Sequence, residues 1–347
     1  MTTRPPRIAI DAMGGDRGPA EVVRGAVSAA RGSASGAQLI LVGDSTELGE
    51  CLRASGVAPG NVRIHHASQT VSMHDRPSEA IRGKPDASVS VAARLVKDGE
   101  ADGFISIGNT GAAMAAAFYH LRPVCGISRP AIAAVLPTMV QNRPFVMLDM
   151  GANVDGSPHH LVEFAIMGLV YARKVLARSS PRVALLSNGE EPTKGNDLTK
   201  RAHALLREYV PEFSGNIEAG EAFRGSADVV VCDGFDGNVL LKGAEGVVEM
   251  VLKSLREELT RHPWMRLALL PLRPSMSRLR KRLDYREFGG APLLGVNGVC
   301  IIGHGRSDAV AVANAIKVAV ASVGSDLVLE IARAAGELRE RRQGDPA

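Results

Sequence analysis

The chain has 347 residues, 45% of them hydrophobic and 22% charged, with a formal net charge of +4 at pH 7. That length can bury a large core in an α/β domain, and the lack of any run of about 18 apolar residues excludes a membrane-spanning helix. Four scattered cysteines (Cys51, Cys125, Cys232, Cys300) with no C-x-x-C pair exclude a disulfide scaffold or zinc ribbon and suit reduced thiols in a cytosol.

Taken in chain order, the start is a short Pro/Arg-rich stretch, Met1 to Arg7, with no apolar h-region, so no signal peptide is expected. Continuous Val/Ile/Leu/Ala runs then predict strands at 7–11, 38–42, 62–65, 103–107, 131–136, 145–149, 182–186, 229–232 and 299–302. Helical periodicity falls between many of them, at 19–30, 87–98, 161–176 and 308–323. Alternation of this kind predicts one doubly wound α/β domain over residues 1–347, with a mainly parallel sheet. The last ten or so residues are charged and are expected to be loose.

One segment departs from this pattern. Residues 253–286 hold ten Lys/Arg against three acids, a local +7 that exceeds the surplus of the whole chain. Val248, Leu252, Leu255 and Leu259 follow helical spacing, as do Met276, Leu279 and Leu283, which predicts two amphipathic helices. Pro263, Pro271 and Pro274 interrupt the stretch between them, so the expected form is a helical hairpin inserted in the domain. Its tip carries Trp264, Met265, Leu267, Leu269, Leu270 and Leu272, and its second arm Arg278, Arg280, Lys281 and Arg282. Such a tip either packs on a second copy or enters an anionic bilayer shallowly, with the cations on headgroups.

In an open α/β sheet, ligands bind beyond the carboxyl ends of the strands. Six predicted strand ends run into small, polar, glycine-containing sequence. These are Asp11 to Asp16, Gly108 to Gly111, Asp149 to Asp155, Ser187 to Asn196, Asp233 to Asn238 with Lys242 beyond, and Gly303 to Ser307. One edge of the sheet is therefore expected to form a site. At Gly108-Asn109-Thr110-Gly111 a buried strand meets an alanine-rich helix, and the first turn of such a helix has unpaired N–H groups suited to an anion. The plainer alternative is a tight turn with Thr110 as helix cap. Asp11 and Asp149 can likewise serve only to bind neighbouring backbone, and Lys242 can pair with Glu245 on a solvated face.

Several chemistries lack their signatures. No G-x-G-x-x-G follows a strand, and G-x-x-x-x-G-K-[ST], H-E-x-x-H, G-x-S-x-G and Cys/His clusters are all missing. No metal or cofactor is expected. Cys232 and Cys300 lie in apolar strands, where an inert packed thiol is the ordinary state. A site rich in Asn, Gly, Lys and Thr with no evident nucleophile suits a reaction whose nucleophile arrives as substrate, and inorganic phosphate is one.

Six stretches in order, RIAIDAMGGDRGP, SIGNTGAAMAAA, LDMGANVD, SNGEEPTKGN, VVVCDGFDGNVLLKGAEG and DYREFGGAPLLGVNGVCIIGHGRS, together resemble the bacterial phosphate acyltransferase family. The resemblance runs from about Arg7 to Val323. It implies transfer of an acyl group from acyl-[acyl carrier protein] to phosphate, giving acyl phosphate for phospholipid synthesis. It also implies a cytoplasmic homodimer with a Rossmann-like fold akin to isopropylmalate dehydrogenase and phosphotransacetylase, in peripheral contact with an anionic membrane. A membrane glycerol-3-phosphate acyltransferase is a further implied partner, and no nucleic acid is. Where relatives often carry a lysine run, this chain has Arg82-Gly-Lys84-Pro-Asp86, leaving Arg82 and Lys84 as its basic candidates.

For such a reaction the expected phosphate ligands are Gly108, Asn109, Thr110 and Gly111. Lys194 and Asn196 are expected to supply charge and an amide for phosphate or oxyanion, and Asn153, Asn238 and His304 to orient the thioester. Asp11, Asp16, Asp149, Asp155, Asp233 and Lys242 are expected to support them. Two alternatives from other classes are a dehydrogenase of the related fold, against which the missing fingerprint counts, and a non-catalytic carrier- or lipid-binding module.

Overall fold

The apolar runs fold as strands covered on both faces. In Arg7–Asp11, Ile8 and Ile10 are buried in one core and Ala9 in another across the sheet, the two-residue alternation of a strand. The structure, a computed structural model, describes residues 4–56, 60–260, 276 and 289–343. Its strands in chain order are β1 (Arg7–Asp11), β2 (Gln38–Gly43), β3 (Val62–His66), β4 (Gly103–Ile107), β5 (Ala131–Leu136) and β6 (Phe145–Leu148). They continue with β7 (Val183–Leu186), β8 (Phe213–Ile217), β9 (Val229–Val231), β10 (Ala291–Leu294) and β11 (Val299–Gly303). All belong to one sheet, in the order β3-β2-β1-β4-β11-β10-β5-β6-β9-β7-β8.

The sheet is mainly parallel, as expected, but its centre is not. Strands β3, β2, β1, β4 and β11 run together. Then β11 to β10, β10 to β5 and β5 to β6 are each antiparallel. Three reversals leave β6, β9, β7 and β8 parallel to one another and opposite to the first block. The six polar strand ends therefore do not share one edge, which corrects the sequence expectation. Those of β1, β4 and β11 lie at one end of the sheet, and those of β6, β7 and β9 at the other.

Helices cover both faces. On one, α1 (Pro19–Arg31) and α2 (Ser45–Ala54) pack with α10 (Ala309–Gly324) over the first half-sheet, and α6 (Pro158–Lys174), α7 (Asp197–Tyr209) and α11 (Leu327–Gln343) over the second. Gly25 lets α1 and α10 touch, since a Cβ there would stand 2.5 Å from that of Val312. On the other face a single core runs beneath α3 (Pro77–Gly83), α4 (Ser88–Lys97), α5 (Thr110–Leu121), α8 (Ala219–Arg224) and α9 (Gly234–Thr260).

The 27 residues of α9 span about 40 Å at 1.5 Å per residue. It starts directly after β9, so Asp236, Asn238 and Lys242 are helical and do not belong to a loop. Its start is pressed on β6, because a Cβ on Gly237 would collide with the carbonyl of Asp149. Farther along it exposes Val247, Met250 and Val251, following Phe235 and Val239. The first expected arm of the hairpin is thus helical as far as Thr260, while the tip and the second arm, Trp264 to Arg282, lie outside the described residues apart from Met276, which is helical. Of the C-terminal stretch expected to be loose, the part to Gln343 continues α11, with Leu327, Ile331, Ala335 and Leu338 buried along one stripe, and residues 344–347 lie outside the described residues.

Candidate active site

At the β1/β4/β11 end, three glycine turns pack backbone against backbone. A Cβ on Gly108 would stand 2.5 Å from the carbonyl oxygen of Gly14, and one on Gly305 would stand 2.7 Å from the Asp16 carboxylate. The Asp16 N–H donates to the Gly305 carbonyl at 2.9 Å. No side chain would fit at Gly108 or Gly305, where backbone and the Asp16 carboxylate fill the space. Beneath them Asp11 is buried. It accepts from the hydroxyls of Ser88 at 2.6 Å and Ser106 at 2.7 Å, and from the Met13 N–H at 3.4 Å. Burial pushes its carboxyl upward and these donors pull it back. Asp11 thus fastens β1 to β4 and α4.

Asn109, not Thr110, caps α5: its Oδ1 accepts from the Ala112 N–H at 3.1 Å. Its Nδ2 donates to the carbonyls of Ser72 at 3.2 Å and Asp75 at 3.4 Å. Gly111 is shielded by Pro77, 2.6 Å from where its Cβ would be. Lys84 is drawn into the same loop, with Nζ 2.6 Å from the Asp75 carboxylate and 3.0 Å from the Thr70 carbonyl; that bond holds the Asp75 carboxyl below its usual range. Arg82 remains exposed. The Asn109 side chain is therefore occupied. The donors left for an anion are the N–H groups of the first helical turn, with Thr110 exposed.

Beside them His304 is exposed, and its Nδ1 accepts from the Arg306 N–H at 3.2 Å. In the neutral ring that bond assigns the proton to Nε2, leaving a donor that faces away from its own turn. Arg306 and Arg17 are exposed on the β11 and β1 turns. Sequence reasoning passed over both, although an arginine among glycines at a strand end is a readable signal. The middle of α9 lies close by: burial pushes the Glu245 carboxyl upward, while the charges of His304 and Lys242 pull it down.

At the other end, Asp149 is the hub. Its Oδ1 accepts from the N–H groups of Ile132 at 2.9 Å and Ala152 at 3.2 Å, and its Oδ2 from those of Asn153, main chain at 2.6 Å and side chain at 3.0 Å. Burial raises its pKa against these donors. The Asn153 amide also donates to the Pro130 carbonyl at 2.8 Å, and the Asn153 carbonyl accepts from Gly234 at 2.9 Å. Asp233 accepts from the Asp236 N–H at 2.8 Å at the start of α9. Asn238 packs on Gly151, whose φ of 112° favours glycine, and Asp155 is exposed.

Asn196 caps α7, accepting from the Thr199 N–H at 2.9 Å and hydroxyl at 3.0 Å. Lys194 bends over Gly189 and is exposed. Its loop is held by Asn216, which donates to the Glu191 carbonyl at 2.9 Å. Cys232 and Cys300 are fully buried, and burial pushes both thiols well above their ordinary range. Neither is a thiolate nucleophile.

Residues 6–329 match the family described as fatty acid synthesis protein. A phosphate acyltransferase of Geobacter sulfurreducens is 49% identical over 89% of this chain and 88% of its own length. One of Pelotomaculum thermopropionicum is 48% identical over 94% of each. Among solved structures, a phosphotransacetylase from Streptococcus pyogenes superposes with a TM-score of 0.61 at 18% identity, covering 92% of this chain and 94% of the other. A 4-hydroxythreonine-4-phosphate dehydrogenase from Klebsiella pneumoniae gives 0.53 at 15% identity, covering 92% and 98%. At such identities the structural likenesses concern the fold alone.

The double duty of Asn109 is separable by substitution. Asn109→Asp keeps a cap but loses both donors to the 72–75 loop, so amide exchange in that loop should rise while the unfolding midpoint holds. Asn109→Ala loses both functions and should also cost about 1 kcal/mol. Unchanged exchange in both variants would show that Asn109 does not hold the loop.

Proposed function

The chain belongs to the fatty acid synthesis protein family and transfers acyl groups to phosphate in lipid synthesis, and from that premise we propose that its acyl donor is the thioester of an acyl carrier protein. We place the reaction at the β1/β4/β11 end. The observation that carries this is the convergence there of a helix N-terminus, closely packed glycine turns and the exposed donors of His304 and Arg306.

A phosphate oxygen attacks the thioester carbonyl carbon. The new C–O bond forms, the carbonyl electron pair moves onto oxygen, and on its return the C–S bond breaks with the thiolate leaving. A thiol of pKa about 8.5 needs little help to leave as the anion. The protein's work is thus positioning and charge stabilisation. The first-turn N–H groups at Thr110 and Gly111 hold phosphate, Arg306 adds charge, and the Nε2–H of His304 donates to the developing oxyanion. Glycine at 108 lets the β4 turn pack on Gly14, and glycine at 111 admits Pro77 beside the first helical turn.

Lys194 and Asn196 stand at the opposite end of the sheet, so we assign Lys194 a role in the site of a second copy. The exposed apolar residues of α9, among them Phe235, Val239 and Met250, support a homodimer, and a monomer by light scattering would remove both proposals. Residues 253–286 are proposed to rest on an anionic membrane from the cytoplasmic side, where an amphiphilic acyl phosphate is best released. Among the described residues, no helix is long and apolar enough to cross a membrane.

With purified protein, loss of the carrier-protein thioester should require phosphate, yield acyl phosphate and exceed the rate with a coenzyme A thioester. His304→Gln and Lys194→Ala should each lower kcat/KM by about 10²–10³-fold, as removal of one donor to a developing charge does, with the unfolding midpoint unchanged. Thioester loss without phosphate, or a requirement for a nicotinamide cofactor, would contradict the chemistry; wild-type rates would remove the residue concerned. Separately, Trp264→Glu/Leu270→Glu should abolish binding to anionic vesicles while activity on soluble acyl carrier protein persists. Undiminished vesicle binding would assign the tip elsewhere.

A further inference from the structure

A cavity of about 310 Å³ opens between α11 and the segment leading into β5, lined by Gly126 to Ser128, Glu163, Leu338, Arg339 and Arg342. Small-molecule sites begin near about 300 Å³, so the space suits a metabolite and not a polymer. Ile127 and Leu338 form an apolar floor of the kind any packed terminal helix needs. The rest of the wall differs.

Arg339 and Arg342 are three residues apart on α11 and share one side of it. The one carboxylate of the lining, Glu163, is buried and already engaged. It accepts from the Ser128 N–H at 2.8 Å and hydroxyl at 2.9 Å, with Arg342 Nη1 at 3.6 Å. Its charge therefore balances Arg342, and Arg339 leaves the cavity net positive. Arg342 is held in place, with Nη2 3.4 Å from the His159 carbonyl and its guanidinium carbon 5.7 Å from the centre of the Tyr209 ring. Its Nε is nevertheless buried without an acceptor among the described residues, a costly condition for a charged group. Arg339 is exposed, and Nη1 lies 3.8 Å from the sulfur of Cys125, a weak acceptor.

A fixed guanidinium, a second arginine whose side-chain acceptor among the described residues is a thiol, and an open cavity between them make a receptor for an oxyanion, which guanidinium forks bind in two-point fashion. We propose that this cavity binds a small metabolite through a phosphate or carboxylate group, at a site separate from the acyl-transfer centre. The fixed Arg342 orients the group and the exposed Arg339 closes on it. Phosphate and carboxylate share the chemistry, and the test distinguishes them.

Cys125 is exposed at the rim and serves as the reporter. Its alkylation by iodoacetamide, followed by peptide mass spectrometry with Cys51 as internal reference, should slow several-fold on adding pyrophosphate or succinate, relative to sodium chloride of equal ionic strength. Protection by pyrophosphate alone assigns a phosphate ligand, and protection by succinate alone a carboxylate. In Arg339→Ala the protection should vanish while phosphate-dependent turnover remains. Protection by neither anion, or equal protection in Arg339→Ala, would overturn the site and reduce the cavity to a packing seam.

Discussion

Three antiparallel pairings at the centre of the sheet, β11 to β10, β10 to β5 and β5 to β6, reverse half of the strands against the other half. The polar strand ends are sorted by this reversal. A βα turn places its residues at the carboxyl end of the strand it follows, so two blocks of opposite direction carry two separate sets of turns. Gly108 to Gly111, Asp16 and His304 fall in one set; Asp149, Asn153, Lys194 and Asn196 fall in the other. Helix α9 links them, beginning against Asp149 and passing within electrostatic reach of His304.

Most of the conspicuous polar side chains at these ends are spent on the protein's own backbone. A buried carboxylate must find donors or be destabilised, and Asp11 and Asp149 find theirs in hydroxyls and amides. Asn109 and Asn196 satisfy helix ends. What remains for a ligand is less visible in a sequence: main-chain N–H groups over glycine turns, and a few exposed cations. That division suits acyl transfer to phosphate, where the substrate is the nucleophile and the protein supplies fixed donors.

Much of this was legible beforehand, because buried parallel strands read as unbroken Val/Ile runs and helices as periodic ones. The six stretches carrying the family resemblance were legible as well, and the identities of 45–49% to phosphate acyltransferases agree with them. Two strands escaped notice. The Phe213–Ile217 strand is polar and glycine-containing with Gly215 at φ 109°, and Ala291–Leu294 is short and contains proline. Strand direction could not be read, since pairing across residues 131–302 is decided by tertiary contacts. The Asn109 cap was misassigned to Thr110 because either residue type caps helices well. The charged tail hid a stripe at Leu327, Ile331, Ala335 and Leu338 whose spacing was in plain view.

The proposed site puts phosphate over the β1/β4/β11 turns and not at the Asp149 end. A crystal structure of the protein grown with phosphate tests it most directly. The anion is expected within hydrogen-bond distance of the Thr110 and Gly111 N–H groups, with the Arg306 guanidinium and His304 Nε2 beside it. Phosphate bound instead in the Ser187 to Asn196 loop of the same chain, with the Thr110 turn empty, would contradict it.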